Sequence, residues 1–496
     1  MSEDSQRETV RHLSKPETYG FAGEVKHITT HISHVFLAGE RVYKLKRAVK
    51  LPYVDFTTLE VRKQACDDEL RLNRRTAPDI YLEVKPIELD GKLADYVVVM
   101  RRFPQDQVLD ELAQTPGALT TRMMEELAEN LAAFHAKAEV RRDKGGAAAT
   151  ASVARGNIDI LNKFTKLDAA KITELAKRTE AALTATKSLL DKRRANGLVR
   201  RCHGDLHLNN IVLLDGTPTP FDCIEFNEDF AVIDVLYDLA FLLMDLEHRG
   251  LQGLANVVLN RTFDVEGDAE GLACLPLFLS MRAAVRAHVD ATQEKFEEAA
   301  TYLDLALGFL EEAKPHLFAV GGLSGSGKSS VAQLAAPLLG RAPGALVIRS
   351  DATRKRLAGA SLYDKLPSEA YTPEMSARVY ARLIEDARTA LAAGQSVILD
   401  AVHAKPEERD AAKHLAAEAG VPFDGFWLDV ALEIRTKRIG GRTKDASDAT
   451  ADVTKAQEDY DLGALDWHVL DGRKDLQSLI NDVSRITGGR PPPGAD

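Results

Sequence analysis

Cysteine is scarce in this chain: four residues, Cys66, Cys202, Cys223 and Cys274, stand among 496. None forms a metal-type C-x-x-C pair, and they read as the reduced, mostly buried thiols of an intracellular protein. Long apolar runs are also missing. The best candidate, "VLYDLAFLLMDLE", is broken by Asp238 and Asp245, so nothing approaches the ~20 uncharged residues that span a bilayer. The start, "MSEDSQRETVRHLSKPE", has no apolar centre and does not read as a secretory signal. The expectation is a cytoplasmic protein. Positive charge is not in excess: the net charge is −11, which disfavours non-specific binding to long nucleic acid, though a short end needs little basic surface. No repeat recurs at a fixed period.

What is present is ordinary globular material, 45% apolar and 28% charged. At about 100–200 residues per domain, the length predicts two or three domains. Residues 1–314 read as one unit and 315–487 as a second, with 488–496 ("GGRPPPGAD" closes the chain) as a disordered tail. Within the first unit, about 20–104 is rich in β-branched and aromatic runs ("VKHITTHI", "HVFLAG", "RVYKLK", "YLEVKPIEL", "ADYVVVMRRF"), with one charged helix inserted before Pro78. About 105–314 is helical, interrupted by "NIVLLDG" and "TPFDCIEF". The small-residue stretch 144–157 reads as a flexible loop. After Pro315, apolar strands alternate with helices, which predicts a parallel sheet. The fold class expected is an α+β bilobal domain followed by an α/β doubly wound domain.

The segment "RCHGDLHLNNIVLLDGTPTPFDCIEF" (201–226) holds Asp205, Asn210 five residues on, and Asp222 twelve beyond that. Phosphoryl transfer needs a carboxylate to accept the proton of the attacking hydroxyl and oxygen donors to hold Mg²⁺. Asp205 suits the first task, and Asn210 and Asp222 the second. A hairpin between them would fold the two donors together. The run His203-Gly204-Asp205 … Asn210 resembles the H-G-D-x-x-x-x-N signature of the aminoglycoside phosphotransferase and choline kinase family, over roughly 20–313. Asp222 matches that family's second metal aspartate. Asp238-Leu239-Ala240 matches its brace of the catalytic loop. The resemblance implies a protein-kinase-like fold with a strand lysine paired to a helix glutamate. Lys44 and Lys46 lie on one strand face. Lys44 is favoured because it leaves Val42 beside it as an apolar ceiling for adenine, with Lys46 kept as the alternative. Glu69 is the expected partner. Residues 98–103, Met100 and Arg101 among them, resemble the hinge whose backbone binds adenine. The chain departs from the pattern in lacking a G-x-G-x-x-G before the lysine. Ser33 and His34 stand in its place, which leaves ATP or GTP open. For the acceptor, Arg282 and Arg286 with His288 could meet an anion, or could be an ion-paired helix face.

"GLSGSGKS" (322–329) fits G-x-x-x-x-G-K-[ST] in full, after an apolar strand and before an amphipathic helix. Gly322, Ser324, Gly325, Ser326, Gly327 and Ser330 would line a phosphate cradle. Lys328 would reach the outer phosphates and Ser329 would ligate Mg²⁺. Asp351 (with Arg354 three later) and Asp400 (beside His403) end apolar strands, and ligands of open parallel sheets bind beyond such ends. Arg438 and Arg442 sit in a glycine-containing stretch able to act as a lid. The arrangement, about 316–485, resembles the small P-loop kinases: gluconate kinase, polynucleotide 5′-kinase, chloramphenicol phosphotransferase and the zeta-toxin group. That resemblance implies Asp351 as the acceptor-activating base, Arg354 as a substrate or phosphate clamp, and Arg438 and Arg442 as lid arginines. Asp400 is either a metal holder or a structural strand-end residue.

The whole chain resembles bacterial proteins that join a phosphotransferase-like domain to an ATP-binding kinase domain. The expected function is a bifunctional ATP- and Mg²⁺-dependent kinase, with a small-molecule hydroxyl as acceptor at each site and no membrane partner. Two alternatives remain open from sequence. One is a 5′-hydroxyl kinase of nucleic acid in the second domain, and the other a nucleotide sensor with one non-catalytic site.

Overall fold

The computed structural model describes residues 6–51, 54–440 and 446–487. The chain divides into two compact units. One comprises residues 1–150 with 188–242, and the other 151–187 with 243–496.

The first unit opens with a helix, α1 (Arg7–Leu13), that sequence reading missed. Strands β1 (Lys26–Thr29), β2 (Ser33–Ala38) and β3 (Arg41–Lys46) follow, then a short pair, β4 (Lys50–Leu51) and β5 (Val54–Asp55). Helix α2 (Leu59–Asn73) precedes β6 (Tyr81–Leu89) and β7 (Lys92–Arg101). The main sheet is antiparallel, in the order β1-β2-β3-β7-β6. The turn between β6 and β7 places both Asp90 and Gly91 at positive φ, the conformation that a two-residue hairpin turn demands. Helices α3 (Leu109–Leu112) and α4 (Thr121–Lys137) come next.

Helix α5 (Gly146–Leu161) occupies the stretch read from sequence as a flexible loop. That reading is corrected. Alanine is the best helix former, and the run "GAAATASVAR" loses little entropy on coiling. Its first turn is anchored by Asp191 Oδ1, which accepts the Ala147 amide at 3.1 Å. Helix α6 (Ala169–Ala195) leads to β8 (Val199–Arg201), β9 (Ile211–Leu214) and β10 (Thr217–Pro220). The second apolar run of the hairpin, expected as a strand to Phe226, leaves the ladder at Pro220. Helix α7 (Glu228–Ala231) and β11 (Val232–Asp234) lead into α8 (Val235–His248).

The second unit takes in most of α5 and α6 and the end of α8, and in it α9 (Gln252–Glu266), α10 (Leu275–Thr292) and α11 (Phe296–Phe309) precede β12 (Leu317–Gly321). Then come α12 (Lys328–Ala335), β13 (Leu346–Arg349), α13 (Ser350–Leu357), α14 (Pro373–Ala392), β14 (Val397–Asp400), α15 (Pro406–Ala419) and β15 (Phe423–Asp429). Helices α16 (Leu432–Gly440) and α17 (Ala451–Ala456), strand β16 (His468–Asp471) and helix α18 (Leu476–Thr487) complete it. The five strands are all parallel, in the order β13-β14-β12-β15-β16, as expected when helices cross over between strands. Strand β16, short and at the edge, was not foreseen. Arg442 and the tail 488–496 lie outside the described residues.

Candidate active sites

In the first unit, the β9–β10 hairpin sets the register of the catalytic segment. Ile211 pairs with Pro220, and the Phe221 amide donates to the Asn210 carbonyl at 2.9 Å. Asn210 and Phe221 therefore face each other, and Asp222 comes next. Asp222 has φ +61°, a conformation uncommon outside glycine. Its amide is held by the Tyr81 hydroxyl at 3.1 Å. The Asn210 amide group donates to Asp205 twice, to Oδ2 at 2.8 Å and to the backbone carbonyl at 2.9 Å. His207 Nε2 lies 3.5 Å from the same Asp205 oxygen. Behind the loop, buried Asp238 accepts the His203 amide (3.1 Å), the Gly204 amide (2.8 Å) and His135 Nε2 (2.9 Å). The expected brace of the loop is therefore present in geometry. His203 is fully buried, and burial depresses its pKa more than Asp238 and Asp205 raise it. Its Nε2 donates to the Phe221 carbonyl, which ties the two arms of the segment together.

Both strand lysines bear on Glu69. Lys44 Nζ lies 2.8 Å from Glu69 Oε1 and 2.7 Å from Asp222 Oδ1. Lys46 Nζ lies 2.6 Å from Glu69 Oε2 and also contacts Glu225. The five charges alternate as Asp222, Lys44, Glu69, Lys46, Glu225. Burial alone would push the Glu69 carboxyl up, but Lys44 and then Lys46 outweigh it and hold it below the usual carboxylate range. Glu225 is pushed up instead, because burial there exceeds what Lys46 restores. Lys44 keeps 14% of its side chain exposed and Lys46 none, so Lys44 is the one facing the open side, next to Asp222. Val42 and Met100 are opposite one another across the sheet and pack with Val212, Leu214 and Phe221. The side chain of Arg101 turns to Asp215 instead, in a two-pronged pair at 2.9 and 3.1 Å. Ser33 is fully buried opposite Lys46, and its Oγ has no hydrogen-bond partner. His34 Nδ1 sits 3.1 Å from His27 and 3.2 Å from the Thr29 hydroxyl.

In the second unit, β12 runs into the glycine loop. Gly322, Gly325 and Gly327 have φ of +146°, +86° and +96°. A Cβ on Gly322 would stand 2.7 Å from Ser326 Oγ, and one on Gly325 2.6 Å from the Arg435 carbonyl. Glycine is therefore required here by both backbone angle and space. Gly327 starts α12, whose first two residues are Lys328 and Ser329; Ser330 is exposed. Gln457, at the end of α17, accepts the Ser324 amide at 2.7 Å and donates to its hydroxyl at 3.0 Å. Arg438 donates to the carbonyls of Ser326 (2.8 Å) and Gly472 (2.9 Å). Arg435, whose guanidinium donates to the Ser324 carbonyl at 3.4 Å, and Gln457 were not foreseen.

Asp400, the last residue of β14, lies in register between Val320 of β12 and Arg349 of β13. It is buried, and burial raises its pKa against the pull of Lys328, Arg349 and Ser329. Asp351 adds to that rise. Asp351 was expected at a strand end. It sits instead in the first turn of α13, where a helix N-terminus favours a carboxylate. Arg354, one turn on, donates to the Ala370 carbonyl at 2.7 Å and stacks 5.0 Å from the Tyr371 ring centre. His403 is buried between Tyr380 and Trp467, and burial pulls its pKa down to about 3.

The structure does not gather the arginine pair of α10 into an open cation patch. Arg282 is buried, while Arg286 reaches Asp290 at 3.5 Å and stacks over Tyr302. His288, pushed down to about 4 by burial, carries no charge at neutral pH.

Residues 55–274 match the model of the phosphotransferase enzyme family, and 317–460 match an AAA-domain model. An uncharacterized protein of Mycobacterium tuberculosis (strain ATCC 25618 / H37Rv) is 32% identical over 454 residues, covering 88% of this chain and 90% of its own length. An uncharacterized protein of Mycobacterium bovis gives the same figures. Among solved structures, a choline/ethanolamine kinase family protein from Mesorhizobium loti is 15% identical, covers 62% of this chain and 95% of its own, and has a TM-score of 0.40. A sugar kinase from Janibacter sp. HTCC2649 is 24% identical, covers 36% and 96%, and scores 0.29. The chain belongs to the same family as these mycobacterial proteins; it joins a phosphotransferase of protein-kinase-like fold to a P-loop kinase domain and is an enzyme of the ATP-dependent kinase class.

Proposed function

We propose that the chain carries two phosphotransferase sites, each moving the γ-phosphoryl group of ATP to a hydroxyl of a small molecule. At the first, Asp205 accepts the hydroxyl proton as the new O–P bond forms and the bond to the β-phosphate oxygen breaks, leaving ADP. Lys44, steadied by Glu69, holds the inner phosphates, and the backbone of Met100 and Arg101 receives adenine. At the second, Gly322, Ser324, Gly325, Ser326, Gly327, Lys328 and Ser330 cradle the phosphates. Asp351 is the base, Arg354 the clamp, and Arg438, which donates to the Ser326 carbonyl, a lid arginine.

The residues present fit Mg²⁺ at both places. Asp222 is 44% exposed and hard-oxygen in character, and Asn210 keeps its side-chain oxygen after donating to Asp205. In the P-loop, Asp400 Oδ1 is buried with no hydrogen-bond partner, beside Ser329. Asn210 and Asp222 would hold the ion at the first site, and Ser329 and Asp400 at the second, where it would neutralise charge on the outer phosphates.

The observation that carries this reading is the bond from Asn210 to Asp205 on the same short segment that brings Asp222 to Lys44. Asp205→Asn and Asp351→Asn, made separately in the full chain, test it by ATP consumption over a panel of sugars, aminoglycosides, nucleosides and oligonucleotides. Each change should remove one activity by about 10²–10⁴-fold and spare the other. Full turnover in both variants would refute the assignment. Transfer to oligonucleotides alone would replace the small-molecule acceptor with a nucleic-acid end.

A further inference from the structure

The P-loop sheet does not end at its own edge strand. Strand β13 pairs with β14 on one side only. On its other side stands α9, which lies within the stretch matched to the phosphotransferase family, not within the AAA-domain match. The side chains of Asn256 and Asn260, one turn apart, act toward β13 as a neighbouring strand would. Both amides donate to the Ala345 carbonyl, at 3.1 and 3.3 Å, and Asn260 Oδ1 accepts the Val347 amide at 2.6 Å. The C-terminal carbonyls of α9 are held in turn by Arg356 of α13, which donates to Phe263 and Asp264 at 3.0 and 3.2 Å.

This docking delivers one more charge, Asp264. Its carboxylate is buried, and its Oδ2 lies 3.6 Å from Arg349 NH1. Arg349 also lies 3.7 Å, through Nε, from Asp400 Oδ2. One buried guanidinium is thus shared between two buried carboxylates, at a long distance from each. A guanidinium can serve two acids through different nitrogens, and in a low-dielectric setting it moves toward whichever charge is unopposed. We propose that Asp264 is a positioning residue for the P-loop site: it holds Arg349 back from Asp400 and so leaves that carboxylate available to a divalent cation beside Ser329. The inference rests on the P-loop reading above. It makes a residue from the phosphotransferase half part of the second site's construction.

The test measures Mg²⁺ dependence of ATP binding in the full chain, by equilibrium dialysis with labelled ATP at pH 8. Only the bound ATP that Lys328→Ala abolishes is counted. Asp264→Asn should raise the Mg²⁺ concentration for half-maximal binding at least fivefold, with affinity in EDTA changed less than twofold. Arg349→Met should lower that midpoint, and adding Asp264→Asn to it should change nothing more. Asn260→Ala, which loosens the same helix away from the charges, should reduce thermal stability and leave the midpoint alone. An unmoved midpoint in Asp264→Asn, an equal shift in Asn260→Ala, or an undiminished Asp264→Asn effect without Arg349 would overturn the proposal. If Asp264→Asn does not fold, an Arg349→Met midpoint at or above that of the parent chain overturns it alone. If Lys328→Ala abolishes no ATP binding, the P-loop reading itself fails and this inference falls with it.

Discussion

At the scale of single residues, the two strand lysines divide a task that a single pair would carry alone. Lys44 faces Asp222 and the open side, whereas Lys46 is sealed between Glu69 and Glu225. Their loss should therefore separate function from stability. Lys44→Met leaves Glu69 paired with Lys46, so the fold should survive while phosphotransfer at the first site falls by 10²-fold or more. Lys46→Met strands buried Glu225 and leaves Glu69 with Lys44 alone, and breaking a buried pair destabilises by about 3–5 kcal/mol. Urea unfolding set beside turnover checks both, and equal stability losses in the two variants would contradict the division. His403 gives a pH prediction. Held neutral down to about pH 3, it binds no proton in the folded chain while the unfolded chain begins to bind one near its ordinary value of 6.5. Stability therefore falls as pH drops from about 6.5, by up to about 1.4 kcal/mol per pH unit. Both tryptophans, Trp427 and Trp467, lie in the P-loop unit, so their fluorescence follows its unfolding. Between pH 6 and 4, His403→Asn should show a flatter dependence, with asparagine accepting the φ of +50° found there.

At the scale of elements, what was legible depended on how local the cause was. The H-G-D-x-x-x-x-N run and the glycine loop are short, and their geometry follows from spacing, so Asn210 meets Asp205 and three glycines adopt positive φ as their pattern demands. Helix α5 was hidden because small residues make good helices and good loops alike. What decides between them is Asp191, more than forty residues later. Glu225 gave no signal, since the segment after Pro220 has no period to read. Asp264 gave none either, because its partner Arg349 is distant in sequence and belongs to another family match. The glycine loop makes a prediction of its own. Gly325→Ala must place a Cβ 2.6 Å from the Arg435 carbonyl at φ +86°. It should displace α16 and lower nucleotide affinity at least tenfold, measurable by calorimetry. Gly440→Ala, with open space around it, should leave that affinity unchanged.

At the scale of the whole molecule, the boundary between the two family matches is not a boundary between two sets of contacts. A chain cut to begin at Pro315 loses α9 and with it every side chain that satisfies Ala345 and Val347 on the outer side of β13. Such an edge invites pairing with other copies. A fragment beginning at Leu251 should stay monodisperse in light scattering. One beginning at Pro315 should aggregate, or melt lower by roughly 5 °C or more, at the 2–4 °C per kcal/mol typical of this size. Equal behaviour of the two fragments would refute this.

The asparagine pair on α9 has one more consequence. A domain beginning after residue 314 would have no α9 to cover its outermost strand, whereas here two amide side chains from that sequence-distant helix complete it. Transplanting the nucleotide-gripping module from an independent relative into this chain would therefore need a matching seam, and the reverse transfer would have to carry residues 252–266 along as part of the module.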